Sequence, residues 1–215
     1  MEIRLVLVDD HRMIRQGLNS LLSAQSDMKV VGEAGDGREA VSFVRELRPD
    51  VVVMDLRMPE LNGIEATRQI LNVHPNVKVV CLSSHTDQRM TTEMLRAGAV
   101  GYVLKDAAFE ELSDAIRVVM KGKVYLSPAV AGLVVGDLVR NHDAEPASPY
   151  SILSGREREV LQLIAEGKST KEVAMHLSVS VKTAETHRRN VMEKLKIDSV
   201  ADLTKFAVRE GITSL

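Results

Sequence analysis

Acidic, hydroxyl and amino side chains stand at the ends of four short apolar runs in the first half of the chain. Asp9 and Asp10 follow the first of these runs and Asp55 ends another. Ser83 ends the next run, and Lys105 follows the last. An Asp carboxylate is a nucleophile that forms an aspartyl phosphate. A hydroxyl and an ammonium group are suited to hold the oxygens of a transferred phosphoryl group. These residue types therefore indicate phosphoryl transfer to a carboxylate.

The three carboxylates also predict a metal site. Carboxylates that lie close together repel one another and raise each other's pKa. A hard cation removes that conflict, and oxygen ligands from few protein groups suit Mg²⁺. Asp9, Asp10 and Asp55 are the candidate ligands. Taken singly, an Asp after a strand is more often a helix cap or a turn residue, so the prediction depends on the combination.

The elements that must position these groups alternate in type over the first 122 residues. Short, nearly continuous runs rich in Val, Ile and Leu are typical of strands buried on both faces of a parallel sheet. Between them, apolar residues recur at helical spacing, as in Ile14, Leu18, Leu21 and Leu22. This alternation predicts an α/β domain with a doubly wound, five-stranded parallel sheet of the flavodoxin-like type. The predicted strands are residues 3–8, 28–33, 51–55, 77–83 and 101–104.

The remainder of the chain has a different pattern. Residues 123–150 read as a linker, in which Pro128 opens a short helix that ends near Arg140. Residues 151–215 show no strand signal and predict a smaller, all-α domain of four helices. Ser154 and Ser169 each precede a Glu by three residues, which is the capping-box pattern of a helix start. Together with further Ser caps, these signals predict helices near residues 155–166, 170–177, 181–195 and 199–210.

Composition limits the class of protein. No apolar run is long enough for a membrane helix, and the start of the chain reads as a strand rather than a signal peptide. The single cysteine, Cys81, lies in an apolar run, which favours a core thiol and a cytoplasmic protein. The net charge is −2, yet residues 168–196 carry seven Lys and Arg against three Asp and Glu. This local basic excess suggests a nucleic-acid partner.

Two of the predicted tail helices, 170–177 and 181–195, are joined by a short turn in a helix-turn-helix pattern. On the second helix, Ala184, His187, Val191 and Leu195 form an inward stripe. A different face carries the candidate readers of the DNA major groove, Lys182, Glu185, Thr186 and Arg189. Lys171, Arg188 and Lys194 are the candidate phosphate contacts. The pattern alone fits equally well a solvated helix in a protein-binding bundle.

Three stretches of the first half resemble the receiver domains of two-component response regulators. They read VDDH at 8–11, MDLRMPELNG at 54–63 and AGAVGYVLK at 97–105. The resemblance covers about residues 1–122. It implies that Asp55 is the phosphoacceptor and that Lys105 contacts the phosphate. It further implies that the Ser83 hydroxyl follows the phosphate and that Tyr102 is an aromatic switch that moves inward. The Mg²⁺ ligands that it implies are Asp9, Asp10, Asp55 and the backbone carbonyl of Arg57.

Residues 151–213 resemble the LuxR-type helix-turn-helix domain of regulators of the quorum-sensing and nitrate-response (NarL/FixJ-like) type. The similar runs read LSGREREVL at 153–161, AEGKSTKEVA at 165–174 and SVKTAETH at 180–187. The resemblance implies binding to double-stranded DNA, with Lys182, Glu185, Thr186 and Arg189 facing the groove. The full set of predicted DNA-binding residues also includes Lys171, Thr183 and Arg188. The resemblance also implies that the last helix pairs two copies, for which Val200, Leu203 and Ala207 are the candidate face.

Three other functions would require different features in the sequence. A phosphatase of the dehalogenase type would have a second Asp two residues after Asp55, where this chain has Arg57, and no glycine motif of a dinucleotide enzyme follows the first strand. A regulator driven by a small inducer would have an apolar pocket in place of the acidic cluster. A receiver that signals through protein contacts, without DNA, remains an alternative.

Together the two halves predict a transcription regulator, not an enzyme. A sensor histidine kinase would pass a phosphoryl group to Asp55 with Mg²⁺, and the phosphorylated protein would bind DNA as a homodimer. A phosphoryl group adds nearly two negative charges and three acceptor oxygens beside Lys105 and Ser83.

Overall fold

The chain folds as two compact units. The structure, a computed structural model, describes residues 2–84, 87–106, 109–140 and 149–213. Residues 1–58 and 62–142 belong to the first unit, and residues 59–61 and 143–215 belong to the second. The polar part of the predicted linker, residues 141–148, lies outside the described residues.

A parallel sheet forms the centre of the first unit. Its six strands run in the order β2-β1-β3-β4-β5-β6. The order reverses between β1 and β3, and open sheets of this kind bind ligands where such a reversal occurs. The strands are β1 (Ile3–Val8), β2 (Met28–Ala34), β3 (Val51–Asp55), β4 (Lys78–Ser83), β5 (Gly101–Leu104) and β6 (Tyr125–Leu126).

Helices cover both faces of this sheet. On one face, Leu5 and Leu7 of β1 belong to a buried cluster that also contains Leu22 and Ile116, which lie on helices α1 and α5. On the other face, the alternate residues such as Val6 are also fully buried. Burial on both faces explains why the strands read as continuous apolar runs instead of alternating ones. The helices are α1 (Arg12–Ser23), α2 (Gly37–Leu47), α3 (Gly63–Val73), α4 (Gln88–Arg96), α5 (Phe109–Met120) and α6 (Pro128–Arg140).

The prediction of five strands was one strand short. Tyr125 and Leu126 form β6 on the outer edge of β5. Helix α6 begins at the predicted Pro128, packs against α4 and buries Val130 completely. A strand of two residues is too short to produce a periodic signal, so the sequence placed it in the linker. The edge of β5 is therefore covered by residues of this unit.

Between residues 149 and 213 the second unit contains helices and no strand. After a 3₁₀ turn at Pro149–Ile152 its helices are α7 (Gly155–Ala165), α8 (Thr170–His176), α9 (Val181–Leu195) and α10 (Val200–Arg209). Each bound lies within one residue of the prediction. Ser154 and Ser169 form complete capping boxes with their Glu partners, and Gly167 ends the first helix at a φ of 82°. The helices enclose a core of their own, which includes Leu161, Val173, Ala184, Val191 and Leu203.

The composition also predicted a core position for Cys81. Cys81 is fully buried in β4, and burial raises the pKa of its thiol well above the ordinary value, so it is a core thiol. In the described part of the chain, none of the helices has the length and apolar character that spanning a bilayer requires.

Candidate functional site

The acidic site lies at the carboxyl ends of the central strands. Asp55 is the last residue of β3, and Asp9 follows β1, its neighbour in the sheet. Lys105 follows β5 and donates its backbone N–H to the Ser83 carbonyl, 2.8 Å away at the end of β4. Parallel strands bring all these ends to one edge of the sheet, so residues far apart in sequence meet there.

Two carboxylates and one ammonium group form the buried centre of the site. Lys105 Nζ lies 2.6 Å from Asp9 Oδ2 and 2.9 Å from Asp55 Oδ2. The three side chains are between 3% and 12% exposed, so water screens them weakly. Asp55 Oδ1 accepts a hydrogen bond from the Leu56 amide at 2.8 Å. The arrangement holds the Asp55 carboxylate in a fixed position and leaves one excess negative charge among the three side chains.

Burial changes the protonation of the centre. Desolvation raises the pKa of Asp55 to about 6, with the Asp9 charge adding to the shift and Lys105 opposing it. Burial disfavours the charged form of Lys105, but its bonds to Asp9 and Asp55 outweigh that effect and raise the pKa of the ammonium group. Lys105 therefore stays charged, whereas the charged form of Asp55 lowers the stability of the folded protein.

The site also has an exposed rim. Asp10 is about one third exposed, and its Oδ1 lies 2.7 Å from Nδ1 of His11. One ligand atom from each of Asp9, Asp10, His11 and Asp55 falls within 4.8 Å of the others. Three of these four ligands are carboxylates, the donors that a hard cation such as Mg²⁺ prefers, so the residues fit that ion. The cluster thus brings together the three Asp side chains that were predicted as metal ligands.

The predicted switch residues lie beside this centre. Ser83 and the ring of Tyr102 are both buried, the ring completely. Burial raises the pKa of the Tyr102 hydroxyl to about 12, and that hydroxyl is hydrogen-bonded to Ser83 and Thr91. The family resemblance implies an inward movement of this ring, and the structure shows the inward position. Tyr102 thus connects the strand end of β4 to helix α4, on which Thr91 lies.

Helix α9 of the second unit presents the predicted basic face. Ala184 and Val191 are buried and point into the core, as the inward stripe requires. Lys182, Glu185 and Arg189 are exposed on the other side. The hydroxyls of Thr183 and Thr186 are exposed too, and they bond Ser180 Oγ and the Lys182 carbonyl of the same helix. The face is therefore open to solvent along its length.

The candidate phosphate contacts differ in whether they form ion pairs within the protein. Lys171 and Arg188 form no ion pair with any residue that the structure describes. Among the described residues, Arg189 has only a long, exposed ion pair of 3.9 Å with Glu193, which contributes little to stability. By contrast, Lys194 Nζ lies 2.7 Å from the carboxylate of buried Glu157 on α7. Lys194 is the one predicted phosphate contact that already has a close ion-pair partner inside its own unit.

Comparison with known proteins identifies the family. Residues 5–117 match the response regulator receiver domain, and residues 151–207 match the bacterial regulatory proteins of the luxR family. The chain is 44% identical over 206 residues to the transcriptional regulatory protein LiaR of Bacillus subtilis, an alignment that covers 96% of this chain and 95% of LiaR. This chain is a LuxR-type response regulator.

Solved structures with a similar fold are also response regulators. A LuxR-family two-component response regulator from Aurantimonas sp. SI85-9A1 is 36% identical, with a TM-score of 0.63 over 65% of this chain and all of that one. The Salmonella typhimurium response regulator RcsB is 26% identical, with a TM-score of 0.60 over 97% of this chain and 99% of RcsB. RcsB has also been solved in complex with DNA.

One predicted surface of this response regulator was wrong. The resemblance to the LuxR-type domain predicts that Val200, Leu203 and Ala207 form a face that pairs two copies. Both residues are completely buried in the core of the second unit, and only Val200, at 38% exposure, reaches the surface. A helical stripe of apolar residues looks the same whether it faces its own core or a partner, so the sequence did not separate the two.

Four residues of the acidic site were missed. His11 lies at the rim, Arg15 of α1 bonds the Asp9 carbonyl, and Thr91 bonds Tyr102. A Cβ on Gly63, at the start of α3, would lie 2.0 Å from the Asp55 carbonyl oxygen. His11 and Gly63 carried a signal, because they belong to the VDDH and MDLRMPELNG runs, whereas Arg15 and Thr91 lie outside the quoted runs. The backbone-carbonyl role predicted for Arg57 stays a prediction.

Proposed function

We propose that this response regulator accepts a phosphoryl group on Asp55 from a histidine kinase and, once phosphorylated, binds double-stranded DNA through α9. The observation that carries the proposal is the buried ion-paired centre, in which Lys105 Nζ lies within 3 Å of both Asp9 and Asp55. Membership of the receiver family supports a kinase partner, and the luxR-family domain supports a DNA partner.

The transfer uses groups that the site holds in place. A carboxylate oxygen of Asp55 attacks phosphorus, the new O–P bond forms, and the P–N bond to the kinase histidine breaks with its electrons left on that imidazole. The Leu56 amide, which bonds Asp55 Oδ1, orients the carboxylate. Lys105 is positioned to meet the added negative charge, and Ser83 lies at the neighbouring strand end.

The carboxylates Asp9, Asp10 and Asp55 would hold Mg²⁺, together with the backbone carbonyl of Arg57. When bound, the ion offsets repulsion between the carboxylates and the incoming phosphate oxygens. Asp9 and Lys105 also fix each other, so that the ammonium group remains beside the phosphoacceptor. Tyr102 and Ser83, which are hydrogen-bonded, would carry the change toward Thr91 and α4.

On the DNA side, the exposed face of α9 is the proposed reader. Lys182, Glu185, Thr186 and Arg189 would contact base edges in the major groove, with Thr183 beside them. Lys171 and Arg188, which have no described ion-pair partner, would contact phosphates. We further propose that phosphorylated molecules pair as homodimers on half-sites about one helical turn apart.

The decisive experiment compares wild type with Asp55→Ala after treatment with a small acyl phosphate and Mg²⁺. Intact-mass spectrometry reports the phosphoryl group, and gel shifts on a duplex selected from a randomised library report DNA binding. We expect the treatment to phosphorylate wild type and strengthen its binding, and to do neither to Asp55→Ala. Asp114→Ala, which removes an exposed carboxylate on α5, should behave like wild type. Equal strengthening in Asp55→Ala and wild type would remove Asp55 from the mechanism.

A further inference from the structure

The first turn of α7 contacts both helices of the helix-turn-helix. Arg156 donates from Nη2 to the Leu177 carbonyl at 2.9 Å, and Leu177 caps the end of α8. Glu157, the next residue, accepts from Lys194 Nζ at 2.7 Å near the end of α9. Two adjacent residues of one helix therefore hold the reading helix and the helix before it.

The Glu157 carboxylate is a strong point of attachment. Glu157 is 4% exposed, and its Oε2 accepts from the Ser154 amide at 2.7 Å and the Ser154 hydroxyl at 2.9 Å as well as from Lys194. Burial alone raises the pKa of Glu157, but the bonds from Lys194 and Ser154 outweigh it and lower the pKa below its ordinary value. The carboxylate stays charged, and the capping box fixes its position.

Lys194 is held by this carboxylate across 37 residues of sequence. Its side chain is 43% exposed, so the stem remains partly solvated while the ammonium group is directed at Glu157. An ammonium group that leaves a buried carboxylate for a DNA phosphate would strand that carboxylate without its charge partner, which is strongly unfavourable. Lys171 has no such partner among the described residues and is free to move to a phosphate.

We propose that Glu157 and Lys194 are positioning residues, which together with Arg156 fix the angle at which α9 enters the DNA groove, and that Lys194 does not contact phosphate. This inference rests on the proposed DNA reading by α9. It reassigns Lys194, which the sequence pattern grouped with the phosphate contacts. The pair acts on DNA only through the placement of the base-reading face.

The test compares two lysines in the full-length protein, treated with acyl phosphate and Mg²⁺ and bound to the library-selected duplex. A lysine that neutralises one phosphate contributes about 0.9 to the slope of log affinity against log salt concentration. We expect Lys171→Met to lower that slope by about this amount. We expect Lys194→Met to leave the slope unchanged and to weaken the selected duplex about tenfold, the effect of one lost base contact.

A second variant guards against simple unfolding. In Glu157→Gln the side-chain amide oxygen still accepts from the Ser154 amide, so the helix cap is kept while the charge is removed. We expect this variant to weaken the selected duplex as Lys194→Met does, with little change on an unrelated duplex. The double variant should lose no more than either single one, because both remove the same ion pair.

The outcomes separate this inference from the function on which it rests. If Lys194→Met lowers the salt slope as Lys171→Met does, or if Glu157→Gln binds the selected duplex as wild type does, the positioning role is wrong. If instead Arg189→Ala on α9 and Lys171→Met on α8 both leave binding unchanged, the proposed DNA binding by the helix-turn-helix itself fails. Thermal unfolding of each variant shows whether the comparison is made between folded proteins.

Discussion

The two charged regions of this response regulator use their charges in opposite ways. In the acidic site, Asp9, Asp55 and Lys105 are at most 12% exposed and are paired with one another. On α9, Lys182 and Arg188 have no ion-pair partner among the described residues, and Arg189 is 67% exposed. Buried charges interact strongly but must be compensated within the fold, whereas solvated cations remain available to a polyanion.

The difference shows which substitutions each region tolerates. A group that is packed against its neighbours in the acidic site cannot change without moving the phosphoacceptor. A group on the exposed face of α9 changes with little effect on folding, because its environment is water in the free protein. Substitutions should therefore affect stability and phosphorylation together in the first unit, and DNA binding alone on the α9 face.

The largest effect is expected at Gly63. A methyl group there would lie 2.0 Å from the Asp55 carbonyl oxygen, a backbone atom, so Gly63→Ala must displace either β3 or the start of α3. We expect a loss of about 3 kcal/mol in the free energy of unfolding, and phosphorylation of Asp55 should become undetectable by intact mass. The control is Gly17→Ala, at an exposed helical position with nothing within 4 Å, which should stabilise the protein slightly. A Gly63→Ala protein as stable and as readily phosphorylated as wild type would refute this account.

The next effect concerns the charge on Asp55. Its folded-state pKa is raised to about 6, so the folded protein binds the extra proton more tightly than the unfolded chain does. The free energy of unfolding therefore falls as pH rises from about 4 to about 6. Above about pH 6 the folded protein keeps the whole destabilisation that comes from the charged, buried Asp55 carboxylate. Asp55→Asn removes the charge, and we expect it to be more stable than wild type by about 2 kcal/mol at pH 7.5 without metal.

Chemical denaturation at several pH values measures this difference. The difference should shrink as pH falls from about 6 to about 4, because Asp55 becomes protonated in the folded wild type, and it should vanish only below about pH 4, where the unfolded chain is protonated there too. Added Mg²⁺ should stabilise wild type more than Asp55→Asn, because the ion binds the charged carboxylate. If the difference in free energy of unfolding between the two proteins were the same at every pH, the charge on Asp55 would not destabilise the folded protein.

A smaller effect is expected on the DNA side. Arg189→Ala should weaken binding to the selected duplex about tenfold, or about 1.4 kcal/mol, because a base contact is lost. Its exposed side chain makes only one weak ion pair, so stability and phosphorylation should not change. Filter binding and denaturation on the same preparation would measure both. Unchanged DNA affinity would place the reader on another face of α9.

The smallest effect is expected at the start of α9. The Ser180 side chain accepts from the Thr183 amide at 3.1 Å and so caps the helix. Ser180→Ala should cost about 1 kcal/mol of stability, and Ser180→Asp should restore most of it, because Asp caps a helix equally well. Thermal unfolding of the two variants would check this. Equal loss in both would show that the hydroxyl acts other than as a cap.

The sequence by itself determined the longer strands and helices, and it identified the Asp and Lys side chains that meet in the acidic site. Strands buried on both faces appear as continuous apolar runs, and helix starts carry their own caps, as at Ser154 and Ser169. Both signals are local, since they depend on residues within one or two turns. For the same reason the motifs around Asp9, Asp55 and Lys105 could be read from the chain, although the residues lie far apart in it.

Only the tertiary structure decided which partner each side chain meets. In the tertiary structure, Leu203 and Ala207 point into the core of their own unit, and Lys194 binds Glu157. Gly63 packs against the Asp55 carbonyl. The tertiary structure also added β6, whose two residues pair only because β5 offers an open edge. These are contacts between elements distant in sequence, and local periodicity, propensity and capping carry no information about which distant group will fill a given space.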